Sequence, residues 1–313
     1  MKISIIGSGA MGSLFGGRLS LAGYDVVLYD VSREHVDAVL ANGLSIEDAA
    51  TGAVTVAWPA ASVDPAAVEG SDLLVIFVKS TSTEEVAVQF APLAGAKTIV
   101  LTLQNGLGNE EIIRRHFGAD RTAAGVTSQG ATFLGPGRVR HAGKGPTHVS
   151  MSGGPAGNPG ASGRLGKLCA AFVAAGFETH VEKDVASLVW SKLIINVGIN
   201  ALTAITGQPN GKLLDSDETK AVVADLVAEA LSVAKARGVQ VTYADPLATV
   251  YDVARKTGAN RSSMLQDFDR NRPTEIDFMN GAVVREAAAL GIPVPVNATV
   301  TRLVKAMEKA RSR

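Results

Sequence analysis

Lys2-Ile3-Ser4-Ile5-Ile6-Gly7-Ser8-Gly9-Ala10-Met11-Gly12 is the stretch on which the fold turns. A short apolar strand pattern runs straight into Gly-x-Gly-x-x-Gly and then into a helical pattern. In such a turn the first glycine permits a tight reversal, the second lets a pyrophosphate approach the backbone, and the third lets helix and strand pack closely. The helix that opens there offers unpaired N–H groups and the positive end of its dipole. A second strand pattern, Asp25–Tyr29, is followed by Asp30, at the distance where a carboxylate meets the ribose hydroxyls of an adenosine. Gly7, Ser8, Gly9, Ala10, Met11, Gly12 and Asp30 are therefore expected to bind a dinucleotide. Asp30 would repel a 2′-phosphate, which favours NAD(H). Arg33 leaves NADP(H) open, although a solvated place in the first helical turn is the simpler explanation of it.

Outward from this loop, strands are expected at Lys2–Ile6, Asp25–Tyr29, Val54–Ala57, Leu73–Phe77, Thr98–Thr102 and Arg121–Thr127. Helical patterns fall between them near Ala10–Ala22, Arg33–Asn42, Thr83–Phe90 and Asn109–Phe117. Leu73–Phe77 is apolar throughout, as a parallel strand covered on both faces must be. The alternation predicts a Rossmann-type, doubly wound α/β sheet. Thr132–Leu134 and Arg138–His141, flanking Gly135-Pro136-Gly137, predict a hairpin. Ser152–Gly163, dense in glycine and proline, predicts a surface loop before a helix at Arg164–Ala175. From Asp184 onward only helices are expected: Asp184–Thr206, Glu218–Arg237, Pro246–Thr257, Ser262–Phe268 and Thr274–Leu290. The expected division is residues 1–183 for dinucleotide binding and residues 184–313 as an all-helical substrate and catalytic domain.

Composition narrows the partners. Lys+Arg and Asp+Glu are equal at 30 each, so no charge excess points to nucleic acid or an anionic membrane. Apolar runs such as Leu73–Val78 are too short to span a bilayer, and the N-terminus reads as a strand rather than a signal peptide, which predicts a cytoplasmic protein. Cys169 is the single cysteine, so no intrachain disulfide forms, and the five scattered histidines predict no metal site. The helical half, rich in small apolar residues, leaves a homodimer open.

The chemistry is expected on Asp184–Thr206. Lys192, Asn196 and Asn200 recur every four residues and share one face of an otherwise apolar helix. A buried ammonium there would have a depressed pKa and suits a carbonyl oxygen that becomes an alcohol. A polar seam between helices is the competing explanation. Lys79 and Asn105, in loops after the strands Leu73–Phe77 and Thr98–Thr102, either reach a ligand or serve as a surface lysine and a cap. Glu275 either pairs with Lys192 or meets a nicotinamide ribose, and Thr274 is expected to cap the helix Thr274–Leu290.

These stretches carry a resemblance. Gly7–Gly12, Val78-Lys79, Gln104-Asn105-Gly106, Trp190 through Ile205, Pro209-Asn210-Gly211, Ser262–Asp267 and Thr274–Asp277 resemble the ketopantoate reductase (2-dehydropantoate 2-reductase) family along essentially the whole chain. The resemblance implies a C-terminal domain like that of 6-phosphogluconate dehydrogenase and an enzyme that reduces 2-dehydropantoate to (R)-pantoate with NADPH, on the route to pantothenate. It implies Lys192 as proton donor and Asn105, Asn196, Asn200, Asn210 and Ser263 as substrate contacts. It further implies Lys79, Asn105, Glu275 and the backbone at Gly130 as cofactor contacts. One departure stands out. NADPH-using members place an arginine just after the second strand, where this chain has Tyr29-Asp30-Val31. That keeps two alternatives open: an NAD-dependent dehydrogenase of another 2- or 3-hydroxy acid, and a non-catalytic dinucleotide sensor.

Overall fold

β1 (Lys2–Ile6) lies between two parallel neighbours, β2 (Asp25–Tyr29) and β6 (Leu73–Ile76), so it is hydrogen-bonded along both edges. The computed structural model describes residues 1–152 and 159–311. They fall into two units, Met1–Gln104 with Asn109–Val185, and Asn105–Gly108 with Ala186–Arg313.

In the first unit α1 (Ala10–Leu21) links β1 to β2, and α2 (Arg33–Asn42) leads to β3 (Leu44–Asp48), β4 (Val54–Ala57) and β5 (Ala60–Ser62). After β6 come α3 (Thr83–Phe90), β7 (Ile99–Thr102), α4 (Asn109–Phe117), β8 (Thr122–Thr127), β9 (Gly130–Gly135), β10 (Arg138–Gly143), β11 (Thr147–Met151), α5 (Pro159–Ala174) and β12 (Thr179–Val181). The main sheet has eight strands in the order β12-β11-β8-β7-β6-β1-β2-β5. Its pairs are parallel except β11 on β8, so it is a mixed, mainly parallel sheet. A second sheet, β4-β3-β10-β9, contains the expected hairpin as the antiparallel pair β9–β10.

α1 lies between the two sheets, with Leu14, Phe15 and Leu19 buried in the core and three glycines at its closest contacts. A methyl group added at Gly12 would come 2.0 Å from the carbonyl oxygen of Gly7, and one at Gly16 would come 2.3 Å from Leu28. One at Gly17 would come 2.7 Å from Ile46 of the second sheet. Strand order reverses at β1, so the crevice beyond the carboxyl ends of β1 and β6 is the topological switch point.

In the second unit α6 (Ala186–Thr206) is the axis, with α7 (Asp217–Ala236), α8 (Pro246–Lys256), α9 (Ser263–Asp269) and α11 (Pro295–Arg311) against it. α10 (Asn280–Leu290) packs on α7 and α11. Among the described residues α6 is the one helix long and apolar enough to cross a membrane, but Leu193, Ile194, Val197 and Ile199 are buried in this core.

Several expectations need correction. Val54–Ala57 is a strand but belongs to the second sheet, not the parallel one. β3, β5, β11 and β12 were not expected; three of them are edge-proximal or half-buried, so they lack a continuous apolar run. Of the expected loop Ser152–Gly163, residues 153–158 lie outside the described ones. Its far end is helical, because α5 begins at Pro159, and proline suits a first helical turn.

The expected helix Thr274–Leu290 is broken. A 3-10 turn at Ile276–Phe278 precedes α10, and Leu107 N–H takes the Phe278 carbonyl at 2.9 Å. Thr274 does not cap a long helix: it stands one residue before the N-cap of that turn, Glu275, and its Oγ1 accepts from Ile276 N–H at 3.3 Å. The last helix, α11, was not expected either. Its N-terminus is capped from α7: Glu229 accepts from Val296 and Asn297 N–H at 2.8 Å each. A cap 67 positions away leaves no local signal.

Gly12→Ala should cost about 1–3 kcal/mol, because a backbone carbonyl cannot move aside for the new methyl. Gly9→Ala, which meets nothing within 4 Å, should cost under about 1 kcal/mol, the scale of an N-cap change. Denaturant titration of both variants checks this; equal losses would show that the α1–β1 contact is looser than described.

Candidate active site

The glycine loop of the first unit separates glycines that packing requires from one that it does not. Gly7 has φ +89°, and a Cβ there would come 2.8 Å from Val78 N; Gly12 sits against Gly7. Packing and turn geometry thus require both. Gly9 has neither constraint: it is exposed, caps α1, and faces open space. A tight turn that bound nothing would explain two of the three glycines and leave Gly9 unexplained. Ala10 and Met11 form the first turn of α1 behind it.

Asp30 is locked to this loop. Ser8 N–H and Oγ donate to its Oδ2 at 2.8 and 3.2 Å, and Ser32 N–H donates to Oδ1 at 2.9 Å. A carboxylate has about four lone-pair sites, so it retains capacity for ribose hydroxyls. Arg33 is exposed at the start of α2.

Lys79 is exposed just past β6, and the loop that carries it is held from beneath. Gln104 Nε2 donates to Val78 O and Thr83 Oγ1, each at 2.8 Å, while Thr102 Oγ1 donates to Gln104 Oε1 at 2.9 Å. Thr83 Oγ1 in turn donates to Asn109 Oδ1 at 2.8 Å, and Asn109 Nδ2 donates to Ser80 Oγ at 3.1 Å. Gly130 opens β9 three residues past the end of β8, opposite Gly143.

The remaining expected residues fall in the second unit. Asn105 belongs there: Gly106, with φ +86°, sits so close that a Cβ would come 2.1 Å from the Phe278 carbonyl oxygen. This seats the Asn105–Gly108 segment on the 3-10 turn that directly follows Glu275.

On α6 the stripe of Lys192, Asn196 and Asn200 is present. Burial draws the Lys192 pKa down to about 8, and the Glu275 carboxylate opposes that fall. Glu275 is itself only 6% exposed, so two opposite charges share a desolvated neighbourhood. Asn200 Nδ2 lies 3.5 Å from Ser263 Oγ, which joins the stripe to the start of α9. Asn210 is not hydrogen-bonded to the stripe. Its Nδ2 donates to Thr257 Oγ1 at 2.9 Å, and its buried Oδ1 has no partner among the described residues.

Three supporting residues were missed from the sequence. Thr203 Oγ1 donates to Ser262 Oγ at 2.7 Å, which ties α6 to the residue preceding Ser263. Thr203 continues the stripe by three positions, so helical periodicity could have found it. Gln104 and Ser262 lie in stretches that carry the family resemblance, but their partners are distant in sequence, so their supporting roles have no local signal.

The arrangement supplies an ammonium of depressed pKa, two amides and a hydroxyl in one unit, and a glycine turn at a helix N-terminus beside a carboxylate in the other. Residues 3–154 match the family model described as Ketopantoate reductase PanE/ApbA, and residues 184–308 match its C-terminal counterpart. The chain is 36% identical over 309 residues to 2-dehydropantoate 2-reductase of Halobacterium salinarum, covering 99% of each. It is 34% identical over 308 residues to that of Pyrococcus horikoshii, covering 98% of each. Among solved structures, a PanE/ApbA family ketopantoate reductase from Ralstonia eutropha superposes with TM-score 0.90 at 36% identity over 100% of both chains. D-mandelate dehydrogenase with NADH and anilino(oxo)acetate superposes with TM-score 0.89 at 28% identity, also over 100% of both.

Lys192 should titrate near pH 8 by side-chain NMR, and Glu275→Gln, by removing the opposing charge, should move that midpoint down by about one unit. A midpoint near about 10.4, the ordinary lysine value, would mean that the amine is solvated.

Proposed function

The chain belongs to the ketopantoate reductase family, and on that premise we propose that it reduces a 2-oxo acid to the 2-hydroxy acid, with 2-dehydropantoate as the first candidate substrate and NADH as the preferred reductant. The observation that carries this reading is the Lys192 ammonium, drawn to a pKa of about 8 beside Glu275 and followed on one helix face by Asn196 and Asn200. An amine with that pKa is largely protonated at neutral pH, yet gives up its proton readily when an alkoxide forms next to it.

The residues divide the work. Lys192 donates its proton to the carbonyl oxygen, so that the bond order lost from C=O is replaced by C–H and O–H bonds. Asn196, Asn200 and Ser263 offer donors and acceptors that orient the acid, and Asn105 and Asn210 complete the polar contacts. Asn210 brings a buried acceptor without a partner, a place for a substrate hydroxyl.

The glycine loop fits a dinucleotide because Gly9 faces open space at the start of α1. When bound, the reduced nicotinamide supplies the hydride that the carbonyl carbon accepts. Gly7 through Gly12, Lys79, Gly130 and Glu275 are assigned to holding it.

Asp30 argues for NADH. Its two oxygens are pinned by Ser8 and Ser32, so the carboxylate cannot readily swing away from a 2′-phosphate. The same residue favours a second reading, an NAD-dependent dehydrogenase of another 2-hydroxy acid, since the similar D-mandelate dehydrogenase structure holds NADH with a 2-oxo acid analogue.

A panel of 2-oxo and 2-hydroxy acids with both cofactors separates these readings. NADH should be used at least tenfold more efficiently than NADPH, about 1.4 kcal/mol, and Asp30→Ala should narrow the ratio. Lys192→Ala should lower turnover by about 10²- to 10⁴-fold; near-normal turnover would remove Lys192 from the mechanism. Because the acid must be protonated, reduction should decline above about pH 8, while oxidation of the hydroxy acid should rise through the same pH.

A further inference from the structure

Among the buried titratable residues outside these roles, one on α2 is tied to the glycine loop. His35 on α2 is 2% exposed, and its ring packs 5.2 Å from that of Phe133. Both ring nitrogens are engaged. Gly137 N–H, in the β9–β10 turn, reaches Nδ1 at 3.0 Å, and Nε2 lies 3.3 Å from Ser13 Oγ. Ser13 Oγ lies 2.6 Å from the carbonyl oxygen of Ser8.

The proton positions follow from the ends of this chain. A backbone N–H can only donate, so Nδ1 must carry the lone pair. Burial lowers the His35 pKa, against the raising influence of Asp30, so the ring is neutral at pH 7. Its one proton is then on Nε2, which donates to Ser13 Oγ. The hydroxyl proton of Ser13 is left with one acceptor, the Ser8 carbonyl. Every bond therefore points the same way, from the hairpin turn into the glycine loop.

We infer that His35 and Ser13 are positioning residues that fix the Ser8–Gly9 peptide so that Gly9 N–H faces outward toward the pyrophosphate of a bound dinucleotide. In a trans peptide the C=O and N–H point in opposite directions, and the described residues contain no cis bond. Ser8 is fully buried with its carbonyl drawn inward, whereas Gly9 is exposed, so the N–H opposite that carbonyl is turned out of the protein. Gly9 faces open space, and α1 begins immediately behind it. Asp30 holds the preceding N–H of Ser8, so the residue is clamped on both sides and the ribose-facing carboxylate is set by the same loop. The inference rests on the dinucleotide reading above.

The test compares NADH, ADP-ribose and adenosine as ligands of the whole chain. Ser13→Ala should raise Kd for NADH and ADP-ribose about 3- to 10-fold, the value of one hydrogen bond, while adenosine, which lacks phosphate, binds as before. KM for NADH should rise while kcat at saturating NADH holds. His35→Phe keeps the ring on Phe133 without either nitrogen and should give the same phosphate-selective loss. The double variant should be no weaker than Ser13→Ala alone, because both act through one hydroxyl.

Unchanged Kd in Ser13→Ala, an equal loss for adenosine, or additive losses in the double variant would each overturn the inference. If His35→Phe does not fold, Ser13→Ala decides alone. Failure of the unaltered chain to bind either dinucleotide would instead overturn the parent reading, so the two failures are distinguishable.

Discussion

The contact between Gly12 and the carbonyl of Gly7 is the constraint on which the first unit depends. Only at that separation can α1 lie flat between the main sheet and the second sheet, with Gly16 and Gly17 pressed on Leu28 and on Ile46. The approach sets where the helix begins, and the helix beginning sets where its free N–H groups lie. A side chain on this seam would lift α1 from both sheets at once. The shape of the glycine loop is thus a by-product of close packing, and Gly9 is the glycine in it that packing does not explain.

The second unit rests on a different tension. α6 is apolar enough to be the axis of a helical core, yet it carries a lysine and two asparagines along one face. Burial depresses the Lys192 pKa, and Glu275 limits the depression. Each charge offsets part of the other's desolvation, and together they leave an amine whose pKa lies close to neutral pH. The break between the 3-10 turn and α10 belongs to the same arrangement. It gives the Phe278 carbonyl to Leu107 and so brings Asn105–Gly108 beside Glu275.

Asp30 is where family membership and local chemistry pull apart. The family resemblance carries an expectation of NADPH, whereas the proposed NADH preference rests on this carboxylate, held by Ser8 and Ser32. Asp30 lies at the rim of a loop and outside the core, so packing leaves it free to vary. The Lys192 stripe has no such freedom, since its neighbours on α6 fill the interior.

The sequence by itself determined what is local. The glycine loop, β1, β2, α2, α3, α4 and the Lys192–Asn196–Asn200 stripe follow from periodicity, turn residues and caps within a few positions, and those expectations match the elements found. Tertiary structure decided whatever depends on a distant partner. α11 is capped by Glu229 from another helix, the helix expected from Thr274 is interrupted by a loop from the other side of the sequence, and β4 joins a second sheet through a strand, β3, with no strong apolar run. His35 is the clearest case. As a residue in an ordinary helix it says nothing, and its meaning comes from a backbone N–H 102 positions away and from the serine it holds against the loop. Local signals fix the elements because backbone propensity and capping act over one or two turns. The orientation of one peptide in the binding loop is set by hydrogen bonds that exist only once those elements have packed.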